Sequence, residues 1–183
     1  MTVGESDECP ELSAEATLRM ADHYRLAAIE LLAPGRRSDP LAQAPGRLLA
    51  LQAIELYLNA WLREAGESVR QIRARQHDFA GRAETALAGG LALRRRTVCH
   101  LAGITGSREY LIVRYDPEGI AAASQVNRLL ATLDEVARKV RTAPAQPPAS
   151  LRPRRIAAGE IAAVSVWQRP PPPHPFGADR PPL

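Results

Sequence analysis

The sequence has few aromatic residues, one lysine, two cysteines and no long hydrophobic run. Aromatic residues make up 4% of the chain, whereas alanine and leucine are abundant, and this composition favours helices over sheets. The cysteines, Cys9 and Cys99, are far apart and lack the Cys/His spacing of a zinc site, so reduced thiols are expected. No run approaches the roughly 18 apolar residues that span a bilayer, and the acidic N-terminus lacks a signal-peptide core. The sequence therefore predicts a cytoplasmic protein without membrane contact.

Common enzyme signatures are also missing. The sequence contains no internal repeat, no glycine-rich phosphate loop, and neither a GxSxG nor an HExxH motif. At 183 residues the chain is long enough for one domain with a hydrophobic core and short for two. One domain that needs no metal and no cofactor is therefore expected.

Arginine supplies nearly all of the positive charge, because 23 arginines stand beside a single lysine. Residues 142–183 carry five arginines against two acidic residues, which leaves residues 1–141 close to neutral. Within this neutral part, residues 70–114 hold nine arginines against three acidic residues, a net charge of +6. Clustered arginine of this kind suits phosphate or nucleic acid. Neutralisation by acidic neighbours in the fold or in a partner subunit is the equal alternative.

Apolar periodicity and capping residues predict a series of helices between residues 13 and 141. The first runs from the N-cap Ser13 to about residue 32, where Pro34 and Gly35 end it. The strongest pattern is an amphipathic second helix over about residues 46–65, with Gly66 after its end. Further helices are predicted over about 68–75, 78–87, 92–104 and 118–141, with Ser68 and Asp78 as caps.

The segment 107–115 (SREYLIVRY) is ambiguous because YLIV has strand character. A single strand would have no partner, so a helix is predicted that ends near Arg114, ahead of Pro117. The fold class is therefore all-α, an up-and-down bundle of about five helices over residues 13–141. Residues 1–12 form a flexible acidic N-terminus in this scheme. Residues 142–183, with eleven of the 16 prolines, form a disordered tail.

A row of polar residues lies beside the apolar stripe of the second helix. Gln52, Glu55 and Asn59 are three and four residues apart, so they share one face of that helix. Such a row indicates either a buried network or site, or a solvated edge of the helix. The sequence leaves both possibilities open.

An arginine-rich turn comes next. Arg70, Arg73 and His77 would share a face if helicity continued to His77. An arginine pair can hold a phosphate while a nearby histidine moves a proton. The alternative is a surface helix with a capping histidine.

The order of these motifs resembles the prokaryotic branch of the HEPN superfamily of helical domains. In that branch a helix of the form xQAIELxLKAxL leads to a Gly-His-Asp-Leu-like turn, and an Arg-Tyr pair closes the following helix. Residues 51–79 here read LQAIELYLNAWLREAGESVRQIRARQHDF, and VRYDP follows at 113–117. The resemblance covers about residues 27–140. The matching positions are Glu55, His77, Asp78, Arg114 and Tyr115.

The resemblance implies a function as well as a fold. The family contains metal-independent endoribonucleases, often toxins of toxin–antitoxin or phage-defence systems, and also non-catalytic members. Its catalytic signature is an arginine and a histidine with four to six residues between them, and the histidine supports attack by the ribose 2′-hydroxyl. Arg95 and His100 are the best-placed match, although Arg70/His77 and Arg94/His100 also fit the spacing. The implied partners are RNA or a nucleotide, a second copy in a homodimer, and a cognate antitoxin or other partner protein.

A second constellation is the shared polar cluster itself. Glu55 could pair with Arg114, and His77 with a carboxylate, to form a small polar core that binds a ligand or only fixes the packing. Two functional hypotheses follow from the sequence. The chain is either an HEPN-like protein that binds or cleaves RNA or nucleotides, or a non-catalytic helical module for dimerisation or protein interaction.

Overall fold

A computed structural model describes residues 13–34 and 39–143. Within these ranges the chain forms seven α-helices and no strand. They are α1 Ala14–Leu31, α2 Pro40–Glu64, α3 Val69–Ala74, α4 Phe79–Ala88, α5 Arg95–Ser107, α6 Glu109–Tyr115 and α7 Val126–Thr142, with a 3₁₀ turn at Gly119–Ala122. The all-α prediction is confirmed for this part of the chain, but about five helices is too few, since the short helices α3 and α6 that were predicted individually bring the number to seven. The predicted acidic N-terminus lies outside the described residues, as does the predicted tail (142–183) beyond residue 143. Thr142, which the prediction places in the tail, is the last residue of α7.

Helix α2 forms the centre of the bundle. It packs against α1, α3, α4, α6 and α7, and 13 of its 25 residues are buried. Leu51, Ile54, Leu58 and Trp61 are almost completely inaccessible to solvent. A helix with neighbours on several sides needs apolar residues on all of them, so α2 is less one-sided than an amphipathic surface helix. None of the helices in the described ranges is long and apolar enough to cross a bilayer.

Helix α2 begins six residues before the predicted start. Asp39 caps it by accepting a hydrogen bond from the Leu41 N–H at 2.9 Å, and Pro40 occupies the first helical position, where no N–H is needed. Pro45 lies inside the helix, close enough to its start that few backbone bonds are affected. The predicted start at about residue 46 is therefore wrong.

The predicted caps are confirmed. Ser13 accepts from the Ala16 N–H at 2.9 Å, and Asp78 accepts from the Gly81 N–H at 2.9 Å. Ser68 forms a capping box with the residue three positions later. These local bonds fix where α1, α3 and α4 begin, and they place the turn between α3 and α4 beside α2.

The ambiguous segment 107–115 contains a helix, α6, as predicted. The last helix is shorter than predicted, because the chain forms the 3₁₀ turn first and α7 starts only at Val126. Buried Glu109 explains this break, since its carboxylate accepts hydrogen bonds from the N–H and the hydroxyl of Ser124 at 3.1 and 3.0 Å. These bonds hold the connection between the 3₁₀ turn and α7 in a non-helical conformation.

Gly46 allows α1 and α2 to approach closely. A β-carbon at this position would stand 2.7 Å from Cγ of Leu32 and 3.1 Å from Cβ of Leu31. We expect Gly46→Ala to lower the free energy of unfolding by about 1–3 kcal/mol, because the added methyl group overpacks this contact. Gly103→Ala in α5 is the matched control: its β-carbon would meet nothing within 4 Å, and helix propensity should raise stability by about 0.5–1 kcal/mol. Urea unfolding of both variants checks the prediction, and equal shifts would contradict it.

Candidate functional site

The carboxylate of Glu55 lies at the centre of a polar cluster between α2 and the turn that joins α3 to α4. Its Oε2 is 2.9 Å from Nδ1 of His77, and its Oε1 accepts a hydrogen bond from Arg82 Nη2 at 3.1 Å. Asn59, one turn further along α2, accepts from Nε of Arg82 at 2.7 Å. Gln52 is half-buried. The polar face of α2 is therefore a hydrogen-bonded network at Glu55 and Asn59, not a solvated edge.

Arg82 is the member of this cluster that sequence reasoning missed. It comes from α4, is 1% exposed, and also donates to the carbonyl oxygen of Asp78 at 3.1 Å. Burial lowers the pKa of the Arg82 guanidinium, and the charge of Glu55 opposes that shift. A buried cation is costly without a partner, so Glu55 and Arg82 act as a pair that joins α2 to α4.

Arg114 is not the partner of Glu55, so that predicted pair is wrong. Arg114 is exposed, as is Tyr115, whose exposed fraction is 74%. Val113 is buried, and the next two residues, Arg114 and Tyr115, lie about 100° and 200° further around the axis of α6. They line a different pocket, together with Pro117.

His77 lies at the solvent edge of the network. Its side chain is 30% exposed, and its ring centroid is 4.3 Å from that of Tyr110 in α6, with the planes tilted by 38°. Glu55 and Tyr110 together hold the imidazole in one orientation. Asp78, the next residue, serves as the cap of α4. The prediction that His77 pairs with a carboxylate is confirmed by the Glu55 contact.

The turn before His77 changes the position of the neighbouring arginines. Helix α3 ends at Ala74, and Gln76 has a left-handed φ of 46°. The continuous helical face of Arg70, Arg73 and His77 therefore does not form. Arg73 nevertheless lines the same cleft as His77, whereas Arg70 is exposed on α3 and is not part of that lining.

A cleft of about 310 Å³ opens beside His77, and we call it the His77 cleft. It is lined by Glu55, Asn59, Ile72, Arg73, Gln76, His77 and Arg82. Because Nδ1 of His77 faces the carboxylate, Nε2 is the ring nitrogen left for a ligand. A carboxylate-bound imidazole beside guanidinium groups can bind an anion and move a proton. Nowhere in the described ranges do three or more His, Cys, Asp or Glu side chains cluster closely enough to hold a metal ion.

Arg95 and His100 do not form a site within one chain. Arg95 is exposed at the first position of α5, whereas His100 is 5% exposed and its Nδ1 is 2.7 Å from Oγ1 of Thr132 in α7. A separation of five residues turns a helix through about 500°, so the two side chains leave on faces about 140° apart. Burial, with a smaller effect from the charge of Arg128, lowers the pKa of His100 to about 4. This histidine is neutral near pH 7, and it belongs to the α5–α7 packing.

The excess positive charge of residues 70–114 is partly neutralised in the fold. Among the described residues, carboxylates from outside the segment pair with Arg75 (Glu67 at 2.7 Å), with Arg82 (Glu55 at 3.1 Å) and with Arg94 (Glu135 at 3.8 Å). The buried Glu135 also accepts from the Arg94 N–H, at 2.7 Å. Neutralisation within the fold therefore accounts for part of the charge, and exposed arginines remain at the ends of α3 and α5.

Comparisons with protein-family models, curated proteins and solved structures give no match. The HEPN resemblance therefore stays a prediction that rests on the motif order in the sequence. The all-α architecture is compatible with it, but many unrelated families share that architecture. Function has to be argued from the geometry of the cleft.

Proposed function

We propose that this protein is an HEPN-like helical protein that binds or cleaves RNA or nucleotides at the His77 cleft. The observation that supports the proposal best is the 2.9 Å contact between Glu55 and His77 in a cleft that Arg73 also lines. Arg82 lies deeper in the cleft and binds Glu55 and Asn59. The proposal assigns the phosphate of the ligand to Arg73, because this arginine lines the cleft and is exposed to solvent.

The chemistry proposed for the cleft follows from this assignment. His77 accepts the proton of a ribose 2′-hydroxyl, whose oxygen attacks the adjacent phosphorus and displaces the 5′ oxygen, which takes up a proton. Arg73 stabilises the negative charge on the phosphate, and Glu55 orients the imidazole. In this proposal the protein acts in the cytoplasm, as a component of a toxin–antitoxin or phage-defence system, with an antitoxin as its partner. No metal takes part.

Binding of single-stranded RNA tests the assignment. We expect Arg73→Ala to weaken binding about tenfold, because one phosphate contact is lost, and to reduce the salt dependence of the affinity. Arg138→Ala removes the same charge from the exposed side of α7 and should change the affinity little. Fluorescence anisotropy with labelled RNA at several salt concentrations measures both effects.

Cleavage is measured on the same RNAs with EDTA present. Any cleavage should be lost in His77→Ala and retained in His23→Ala, the matched change of an exposed histidine on α1. It should also survive His100→Ala in protein that is shown to be folded. Wild-type protein that neither binds nor cleaves RNAs of varied sequence would refute the proposal.

A second candidate function is a non-catalytic helical module that dimerises or binds a partner protein. It is favoured by Leu26 and Ile29 on α1, which are 60% and 42% exposed and, three residues apart, lie on one face. If this face joins two copies, the double variant Leu26→Glu/Ile29→Glu should be monomeric where the wild type is a dimer. Glu15→Lys, an exposed change on the same helix, is the control. Light scattering after gel filtration gives the mass, and a monomeric wild type would contradict the homodimer.

A further inference from the structure

A second, mostly apolar cleft of about 240 Å³ lies between α1, α2 and α3. Met20, Leu56, Val69 and Ile72 form part of its wall, and Met20 remains 48% exposed. We call it the apolar cleft. A partly exposed apolar wall gains stability when another chain segment covers it.

The apolar cleft adjoins the His77 cleft. Asn59, Ile72 and Arg73 line both of them. A segment that fills the apolar cleft would therefore end beside the arginine assigned above to the phosphate of a ligand.

The described part of the chain begins at the edge of the apolar cleft. Helix α1 begins at Ala14, and Ala16 and Thr17 in its first turn are part of the cleft wall. Residues 1–12 directly precede this turn. In extended form twelve residues reach about 40 Å, several times the width of a helix, so the whole cleft lies within reach.

The charges of this segment and of the cleft rim are complementary. Residues 1–12 (MTVGESDECPEL) contain four acidic residues and no lysine or arginine. The rim carries Arg63 and Arg73, and exposed Arg70 is on the same short helix as Arg73. Arg63 also donates to the carbonyl oxygen of Glu67 at 2.7 Å, and the carboxylate of Glu67 pairs with Arg75 at 2.7 Å. The segment also supplies apolar side chains, Val3 and Leu12 among them, for the wall itself.

We propose that residues 1–12 of this chain dock in the apolar cleft, with their carboxylates facing Arg63, Arg70 and Arg73. Tethering makes the docking intramolecular, so even a weak contact acts at a high effective concentration. One consequence rests on the proposed function: the docked carboxylates compete with phosphate for Arg73. Removal of residues 1–12 then tightens RNA binding about three- to tenfold, and increased salt weakens the docking.

A spin label on the segment tests the docking directly. A nitroxide is attached to Cys9 in a full-length Cys99→Ser chain, because Cys99 is exposed and would also react. Docking predicts loss of amide signal in α3 at Val69, Ile72 and Arg73 at physiological salt. The signals should recover when Glu5, Asp7, Glu8 and Glu11 are replaced by their amides. Broadening confined to the first turn of α1, with α3 unaffected, would overturn the proposal.

A mixed sample identifies the occupant. ¹⁵N-enriched chains without a spin label are mixed with spin-labelled chains that carry no ¹⁵N. Docking within one chain predicts no broadening of α3 in this mixture, whereas broadening there would show that a second copy fills the cleft and would refute the proposal. Neither measurement contains RNA, so a protein that proves not to bind RNA leaves both results interpretable.

Discussion

Glu55→Ala is expected to lower the free energy of unfolding by about 3–5 kcal/mol, the range measured when one partner of a buried ion pair is removed. Glu55 is the carboxylate that faces Arg82, whose guanidinium comes from α4 and is 1% exposed. After the substitution the cation keeps its hydrogen bonds to Asn59 and to the Asp78 carbonyl but loses its counter-charge. The cost is that of an unpaired buried charge, not that of one lost contact.

Three further variants separate this explanation from lost packing. Glu64→Ala is the matched control, because Glu64 is exposed at the end of the same helix and should cost less than about 0.5 kcal/mol. Glu55→Gln keeps an acceptor for Arg82 without the charge, so an intermediate loss is expected. The pair Glu55→Ala/Arg82→Met should be more stable than Glu55→Ala alone, since no buried charge is left. Urea unfolding followed by circular dichroism gives all four values, and a loss for Glu55→Ala similar to that of Glu64→Ala would contradict the expectation.

Acidification is expected to destabilise the protein through His100 by roughly 3 kcal/mol between pH 6.5 and 4. Burial and the nearby charge of Arg128 lower the pKa of His100 from 6.5 to about 4 in the folded protein. Between these values the unfolded chain binds a proton that the folded protein does not, so stability falls as the pH falls. The contribution is fully present above pH 6.5 and is lost as the pH approaches 4, at about 1.4 kcal/mol for each pH unit.

His100→Gln isolates this effect. Glutamine can still bind the hydroxyl of Thr132, which is 2.7 Å from Nδ1 of His100 in the wild type, but it does not titrate. Carboxylates that titrate in the same range are common to both proteins and cancel in the difference. The difference in unfolding free energy between the two proteins should be constant above pH 6.5 and should shift in favour of the variant below it. A constant difference down to pH 4 would contradict the neutral, buried state of His100.

The helix boundaries were predictable where a local bond sets them. The side chains of Ser13, Ser68 and Asp78 each accept a hydrogen bond from the backbone N–H three residues later. The residue type and its position in the sequence are therefore enough to predict each cap. The predicted start of α2 is six residues too late, because Pro45 resembles a helix boundary in the sequence. A proline near the start of a helix removes little, and Asp39 followed by Pro40 is itself a local start signal.

For the Glu55 cluster, the burial of Arg82 was predictable from the sequence but the identity of its partner was not. Phe79, Arg82, Ala83 and Ala86 are three and four residues apart, so the sequence places this arginine on the buried face of α4. A buried arginine needs a carboxylate. Which carboxylate it meets depends on how α2 and α4 pack, and no local pattern contains that information. The same reasoning applies to His100, which shares the buried face of α5 with Thr97, Leu101 and Ile104.

A titration of the ¹⁵N-labelled protein with a short single-stranded RNA, followed by two-dimensional NMR, tests whether the His77 cleft is the binding site. The proposed function predicts that the largest shift changes occur at Arg73, Gln76 and the imidazole of His77, and that Arg73→Ala reduces all of them. Changes confined to the exposed arginines at the start of α5, or no saturable change at any residue, would contradict it.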